Sequence, residues 1–298
     1  MNYRRFGKTE WQVSEIGLGG SWFYGRPEYG LLPPEHGIAV VNRAFELGIN
    51  YFDTAPLYGE GRSEEILGMA LKDETRPYYL ATKVGYFPEP FDYKRDTVWR
   101  GFEDSLKRLD RQSVDLIQIH ESEQAGWDGI FGKGMCLEAL HEMKEQGLVK
   151  EIGLTGSDLD LMSDALETGE FVSVITFLKY DMLVQIAKER LIPTAVEHDI
   201  AVILASPLHA GLLGSKRDMW LEKRFAELRP KVEQLETLLL DQNQPMSQLG
   251  LRYLFADENV SLLLSGVDCL LELEDCAAAS QSGPLPKSLV EQIESIQT

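Results

Sequence analysis

The stretch VDLIQIH, residues 114–120, carries Val114 and Leu116 on one strand parity and Ile117 and Ile119 on the other. A strand with one solvated face alternates apolar with polar residues. Apolar residues on both parities fit a parallel strand, with helices over one face and a core against the other. AVILA, residues 201–205, reads the same way. Working outward, strand-like runs are predicted at Glu15 to Gly19, Asn50 to Asp53, Tyr78 to Val84, Val114 to His120, Glu151 to Thr155, Val172 to Phe177, Ala201 to Ala205 and Val260 to Leu264. Between them, apolar spacings of three and four predict helices over Gly37 to Leu47, Asp96 to Leu109, Met135 to Gln146 and Leu221 to Leu240. Eight such units favour a closed (β/α)8 TIM barrel over a doubly wound sheet, which more often has about five or six strands. The first residues, YRRFGKTEWQVSEI, read as a β-hairpin around Gly7 and Lys8 that caps the barrel floor. No internal repeat or Pro/Gly/Ser-rich linker divides the chain, so one barrel domain over residues 1–298 is expected.

Composition narrows the function classes. Of 298 residues 44% are hydrophobic and 26% charged, the balance of a soluble globular protein. The net charge of −19, from 48 acidic against 29 basic residues, repels phosphate backbones and anionic lipid, so neither nucleic acid nor membrane is expected as a partner. The N-terminus has no apolar signal core, and no run of about 18 apolar residues occurs, so a cytoplasmic location is expected. Cys136, Cys269 and Cys276 form no CxxC pair, so neither a disulfide nor a thiolate metal site is expected.

In a barrel of this type the active site lies at the C-terminal strand ends. There the chain places Asp53, Lys83 and His120, with Tyr58 in the loop after the second strand. Each has a structural alternative: Asp53 as a turn or helix cap, Tyr58 as a packing aromatic, His120 as a hydrogen-bonded core histidine. Lys83 on an apolar strand needs a partner if it points inward. Together they make a proton relay. Asp53 holds Lys83 charged, and Lys83 favours the phenolate of Tyr58, drawing its pKa of about 10 toward neutrality. Tyr58 then serves as general acid or base on a carbonyl or alcohol oxygen that His120 orients.

These residues resemble the aldo-keto reductase family. NYFDTAPLYGEGRSEEILGMAL is similar to the family signature around its Asp and Tyr, ATKVG to the segment bearing its Lys, and SVDLIQIH to the one bearing its His. The resemblance covers nearly the whole chain and implies a (β/α)8 barrel with a catalytic Asp, Tyr, Lys, His tetrad. GYFPEPFDYKRDTV, EIGLTGSDLD and ILASPLHAGLL further resemble the branch of L-galactose dehydrogenase and related aldose dehydrogenases, which oxidise the anomeric carbon to a lactone. The chain departs from the family at three places. Thr155 and Gly156 stand where Ser-Asn usually holds the nicotinamide amide, Phe177 where Gln is usual, and Ala205 where a Tyr stacks on nicotinamide.

The family binds its dinucleotide without a Rossmann fingerprint, so the absence of GxGxxG is neutral. GIFGKG, residues 129–134, lacks the Ser or Thr of a P-loop and reads as a flexible loop over the site. The resemblance implies cofactor contacts from Gly20, Ser21, Thr155, Gly156 and Phe177. It places the pyrophosphate along the turn Ser206, Pro207, Leu208 to Gly211, and the adenosine against Gly266, Val267, Asp268 and Asp275. Residues 265–279 contain no Arg or Lys to pair a 2′-phosphate, and Asp268 would repel one, so NAD is expected over NADP. Trp22, Tyr24, Tyr86 and Glu121 are the expected substrate contacts. The expected activity is NAD-linked oxidation of an aldose. A carbonyl reductase using NADPH and a dinucleotide-binding sensor or partner subunit are the alternatives.

Overall fold

The computed structural model describes residues 1–26, 30–86 and 91–296; residues 87–90 of the segment GYFPEPFDYKRDTV lie outside them. β1 (Tyr3–Arg5) and β2 (Gln12–Ser14) form an antiparallel hairpin with Tyr3 opposite Ser14. β3 (Ile16–Gly19) leads to a loop carrying the short antiparallel pair β4 (Gly25–Arg26) and β5 (Gly30–Leu31). β6 (Tyr51–Asp53), β7 (Tyr79–Val84), β8 (Val114–Ile119), β9 (Val149–Gly156), β10 (Ser173–Phe177), β11 (Ala201–Ala205) and β12 (Val260–Gly266) complete a closed parallel barrel, in which β12 pairs with β3. This is the (β/α)8 TIM barrel with an N-terminal hairpin that the sequence predicts.

Strand parity sorts the side chains. Tyr51, Ala81, Leu116, Ile175, Ala201, Ile203, Leu262 and Leu264 cluster inside the barrel together with Phe6 and Val13 of the hairpin. The hairpin therefore plugs the floor: Phe6 stacks on Trp11 at 5.6 Å, and Trp11 on Tyr79 at 4.8 Å. The opposite parity of each strand packs outward beneath the helices. Two residues on from Tyr51, Ala81 and Leu116, the same inward parity brings Asp53, Lys83 and Gln118 to the upper layer. Continuing past the strand end, it brings His120 above them. The ionisable residues among these enter the interior near the C-terminal mouth.

Two segments differ from the sequence reading. The predicted helix over 221–240 is broken: helix Arg217–Lys223 ends, a 3-10 turn Ala226–Leu228 intervenes, and a second helix Arg229–Leu239 starts with Pro230 in its first turn. Proline suits a first turn, where its missing N–H is not needed, and would break a helix interior. GIFGKG is not a flexible loop either, because helix Ser122–Phe131 takes its first three residues. Ile130 is fully buried and Phe131 packs on Trp127 at 4.3 Å, apolar anchors that hold this segment helical. Among the described residues no helix is long and apolar enough to cross a membrane.

Candidate active site

β6, β7 and β8 are adjacent, with Asp53 opposite Ala81 and Lys83 opposite Gln118, so three inward polar side chains meet in one layer. All three are buried. The Lys83 ammonium pairs with Asp53 Oδ1 and donates to the Thr54 carbonyl at 2.9 Å, while Gln118 Nε2 donates to Asp53 Oδ2 at 2.7 Å. Burial opposes the charge on Lys83, yet Asp53 and Tyr58 outweigh it, so its pKa is raised and it stays an ammonium. Gln118 escaped the sequence reading because it sits inside an otherwise apolar run; its inward parity, shared with His120, was the available signal.

The adjoining signature residues hold this layer in place. Ser63 Oγ donates to the Gly20 carbonyl at 2.8 Å. Glu64, fully buried, accepts from Thr82 Oγ1 at 2.6 Å and pairs with Arg108 at 2.7 Å, fixing the strand residue next to Lys83. A side chain at Gly68 would stand 2.7 Å from the carbonyls of Arg108 and Leu109, so the helix packs closely only with glycine there.

Tyr58 reaches the same point from the loop. The Lys83 ammonium lies 4.8 Å from its ring centroid, and the ring meets His120 edge-on at 5.8 Å. Tyr86 also meets His120 edge-on, at 5.3 Å. Tyr24 covers Gly59, whose φ of +61° and 2.8 Å clearance to that ring both demand glycine. Tyr58, Lys83, His120, Tyr24, Tyr86 and Glu121 are therefore brought together. Trp22 lies against Gly266, on the β3/β12 side of the same mouth.

The electrostatics partly reverse the expectation for Tyr58. Burial raises its pKa and Asp53 adds to the rise; Lys83 opposes but does not overcome them. In the protein alone the phenol holds its proton. Burial and then Lys83 drive His120 well below its ordinary value, so it is neutral near pH 7. Glu121 is pushed up to about 7 by burial and by Glu123, whose own carboxylate is held by Ser157 Oγ at 2.5 Å.

These shifts set a pH window of opposite signs. Below about pH 6.5 an unfolded histidine takes up a proton that folded His120 refuses, so His120 lowers stability on the acid side. Glu121, raised from 4.5, keeps its proton when folded and loses it when unfolded, so its contribution weakens stability as pH climbs from 4.5 through about 7. Glu121→Gln should therefore raise the melting temperature more at pH 8 than at pH 5. An equal gain at both would show that Glu121 does not titrate in this way.

The remaining strand ends form the other half of the mouth. Inward parity carries Thr155, Phe177, Ala205 and Gly266, with Thr155 Oγ1 accepting from the Glu121 amide at 3.2 Å. Gly156 faces the other way, where a side chain would collide with Ser122 and Glu123. Gly20 is also a packing glycine, since a Cβ would strike Ser63 and its N–H donates to the Asp53 carbonyl at 2.7 Å. The close approach allowed by Gly266 is taken by Ser21 and Trp22, each 2.8 Å from a would-be Cβ. Asp275 turns toward helix Met246–Phe255, where Ser247 Oγ and Gln248 Nε2 donate to its two oxygens. Pro207 and Val267 are buried and offer backbone only, whereas Ser206, Leu208 and Gly211 remain partly exposed.

A family profile described as the aldo/keto reductase family matches residues 15–298. The chain belongs to the aldo/keto reductase family. It is 30% identical over 282 residues to L-galactose dehydrogenase of Arabidopsis thaliana, covering 93% of this chain and 87% of that one. It is 26% identical over 208 residues to D-threo-aldose 1-dehydrogenase of Pseudomonas sp, covering 60% of this chain and 63% of that one. The fold is similar to aldo-keto reductase AKR11C1 from Bacillus halodurans in its holo form, with a TM-score of 0.85, 26% identity, and coverage of 100% of this chain and 97% of that one.

Aldo/keto reductases are oxidoreductases that bind nicotinamide cofactors, and the residues present fit one. Ser206 has a φ of 54°, and after Pro207 and Leu208 the consecutive residues His209, Ala210 and Gly211 have φ of 50°, 55° and 92°, a tight turn whose exposed side at Ser206, Leu208 and Gly211 is open to a phosphate. Lys216 packs its stem on Gly211, 2.8 Å from a would-be Cβ, and adds a cation that the sequence reading missed. Across from it, Ser215 Oγ donates to Glu272 at 3.1 Å, joining this turn to the segment after β12.

Proposed function

We propose that this chain oxidises the anomeric hydroxyl of an aldose to a lactone, acting in the cytoplasm with NAD as hydride acceptor. The observation that carries the reading is the meeting of Tyr58, Lys83 and His120 at one strand mouth walled by Tyr24 and Tyr86. The similarity to sugar dehydrogenases supports the substrate class. Tyr58 takes the hydroxyl proton as the C–H bond breaks. Lys83 stabilises the phenolate that accepts this proton, Asp53 and Gln118 hold Lys83, and neutral His120 orients the reacting oxygen. A bound dinucleotide supplies the hydride-accepting ring. Glu121 accepts from a sugar hydroxyl at the pocket wall, and Phe177 offers the ring surface that Ala205 lacks.

NAD is favoured by charge. Asp268 and Glu272 lie close enough that their carboxylate oxygens and Cys269 Sγ fall within 4.8 Å of one another, an anionic neighbourhood that opposes a 2′-phosphate. One observation favours a second reading, carbonyl reduction with NADPH: the raised pKa of Tyr58 keeps it a proton donor.

A screen of NAD and NADP reduction, followed at the nicotinamide absorbance with free sugars and polyols, separates these. Turnover of an aldose with NAD, at least about tenfold better in kcat/KM than with NADP, is expected, a preference equal to roughly 1.4 kcal/mol. Silence with every sugar, alongside aldehyde reduction by NADPH, would replace the proposal with the second reading.

A further inference from the structure

A buried Asp–His pair lies behind the turn at residues 206–211, outside the reacting groups. His209 Nδ1 stands 2.7 Å from Asp181 Oδ2, and both residues are almost wholly buried, at 3% and 1% exposure. Asp181 Oδ1 accepts from the amides of Leu183 at 2.7 Å and Val184 at 3.2 Å, so the carboxylate is fixed from both sides. Facing a carboxylate, Nδ1 carries the proton and donates. Phe225 packs edge-on against the imidazole at 4.7 Å, and Lys231 is a further buried charge that feels Asp181.

His209 occupies a strained position. It and Ala210 are both left-handed without being glycine, a conformation that L-residues rarely hold unless their surroundings impose it. Backbone bonds inside the turn, from the His209 amide to the Ser206 carbonyl and from the Gly211 amide to the Leu208 carbonyl, both at 2.9 Å, hold it together with two side-chain bonds. One is His209 to Asp181; the other runs from Trp220 Nε1 to the Ala210 carbonyl at 2.8 Å. The first also ties the loop leaving β10, just beyond Phe177, to the turn leaving β11. Both strand ends therefore share one buried clamp.

We infer that the Asp181–His209 pair positions the turn at residues 206–211 so that its backbone accepts the pyrophosphate of a dinucleotide, making cofactor affinity depend on a side-chain bond that never touches the cofactor. This rests on the dinucleotide reading above. A turn released from the clamp relaxes toward ordinary backbone angles, and the surface it offers a phosphate changes with it.

The test is dinucleotide binding to the whole protein, read by quenching of tryptophan fluorescence with NAD and, separately, ADP. His209→Ala should weaken both by about tenfold, a loss of roughly 1.4 kcal/mol, and KM for NAD should rise with Kd while kcat falls far less. His209→Asn, which tolerates left-handed backbone and can still reach a carboxylate, should recover much of the affinity. If His209→Ala does not fold, Asp181→Asn keeps the two backbone bonds at Oδ1 and removes the charged acceptor facing Nδ1; about threefold weaker binding is expected. Variants that melt lower yet bind NAD and ADP as the wild type does would reduce the pair to a structural role and overturn the inference. Failure of the wild type to bind NAD, ADP or NADP would instead sink the dinucleotide reading itself.

Discussion

Tyr58→Phe is expected to lower turnover by about 10²–10⁴-fold, the range for loss of a general acid–base group, while leaving dinucleotide affinity within about threefold of wild type. The substitution removes one oxygen and little else. The ring still packs edge-on to His120 at 5.8 Å and beneath the Lys83 ammonium at 4.8 Å from its centroid, so stability should barely change. The phenol is the group here whose proton can be exchanged with a substrate oxygen: Lys83 is held as an ammonium by Asp53, and burial keeps His120 neutral. Because burial raises the Tyr58 pKa, oxidation by the wild type should climb with pH as the phenolate becomes accessible, and the variant should lose that climb. Steady-state kinetics and fluorescence titration decide the matter. A variant retaining more than a tenth of wild-type kcat would remove Tyr58 from the proton step.

What could be read from the chain beforehand followed one physical rule, and so did what could not. Buried parallel strands write themselves as apolar runs on both parities, which is why VDLIQIH and AVILA marked β8 and β11 to within a residue. Asp53, Tyr58, Lys83 and His120 could be read together because a lysine on an apolar strand needs a partner and because three segments in order resemble those of one family. Side chains that act through tertiary contact left no such mark. Glu123, Ser157, Asp181 and His209 follow four different strands and acquire meaning only once β8, β9, β10 and β11 are side by side. The same holds for glycines. Gly20 and Gly266 were read as cofactor contacts, and beside each the chain also packs its own side chains, Ser63 at the first and Ser21 and Trp22 at the second. A glycine announces close approach without saying by what. The helix expected over 221–240 failed because apolar spacing continues across a break that Pro230, suited to a first turn, marks more reliably.

The ion pair beneath Tyr58 separates stability from chemistry. Lys83→Met leaves the Asp53 carboxylate buried with Gln118 Nε2 as its remaining side-chain donor, and breaking a buried pair from one side costs roughly 3–5 kcal/mol. The urea midpoint should fall accordingly, and turnover should fall with it because no cation remains to stabilise a phenolate. Adding Asp53→Asn should restore most of the lost stability. The stranded charge is gone, and the new amide can donate to Gln118 Oε1, a buried acceptor that lacks a hydrogen-bond partner in the present arrangement. Turnover should stay at the level of the single variant. The two effects thus come apart in one double-mutant cycle: stability depends on whether charges are matched, and activity on whether a positive charge sits under Tyr58. If Lys83→Met alone unfolds at the wild-type midpoint, the Asp53 carboxylate is not stranded, and the electrostatic account of this layer fails. If the double variant regains turnover, the ammonium is not what makes the phenolate accessible, and the proton must leave Tyr58 with help from another group.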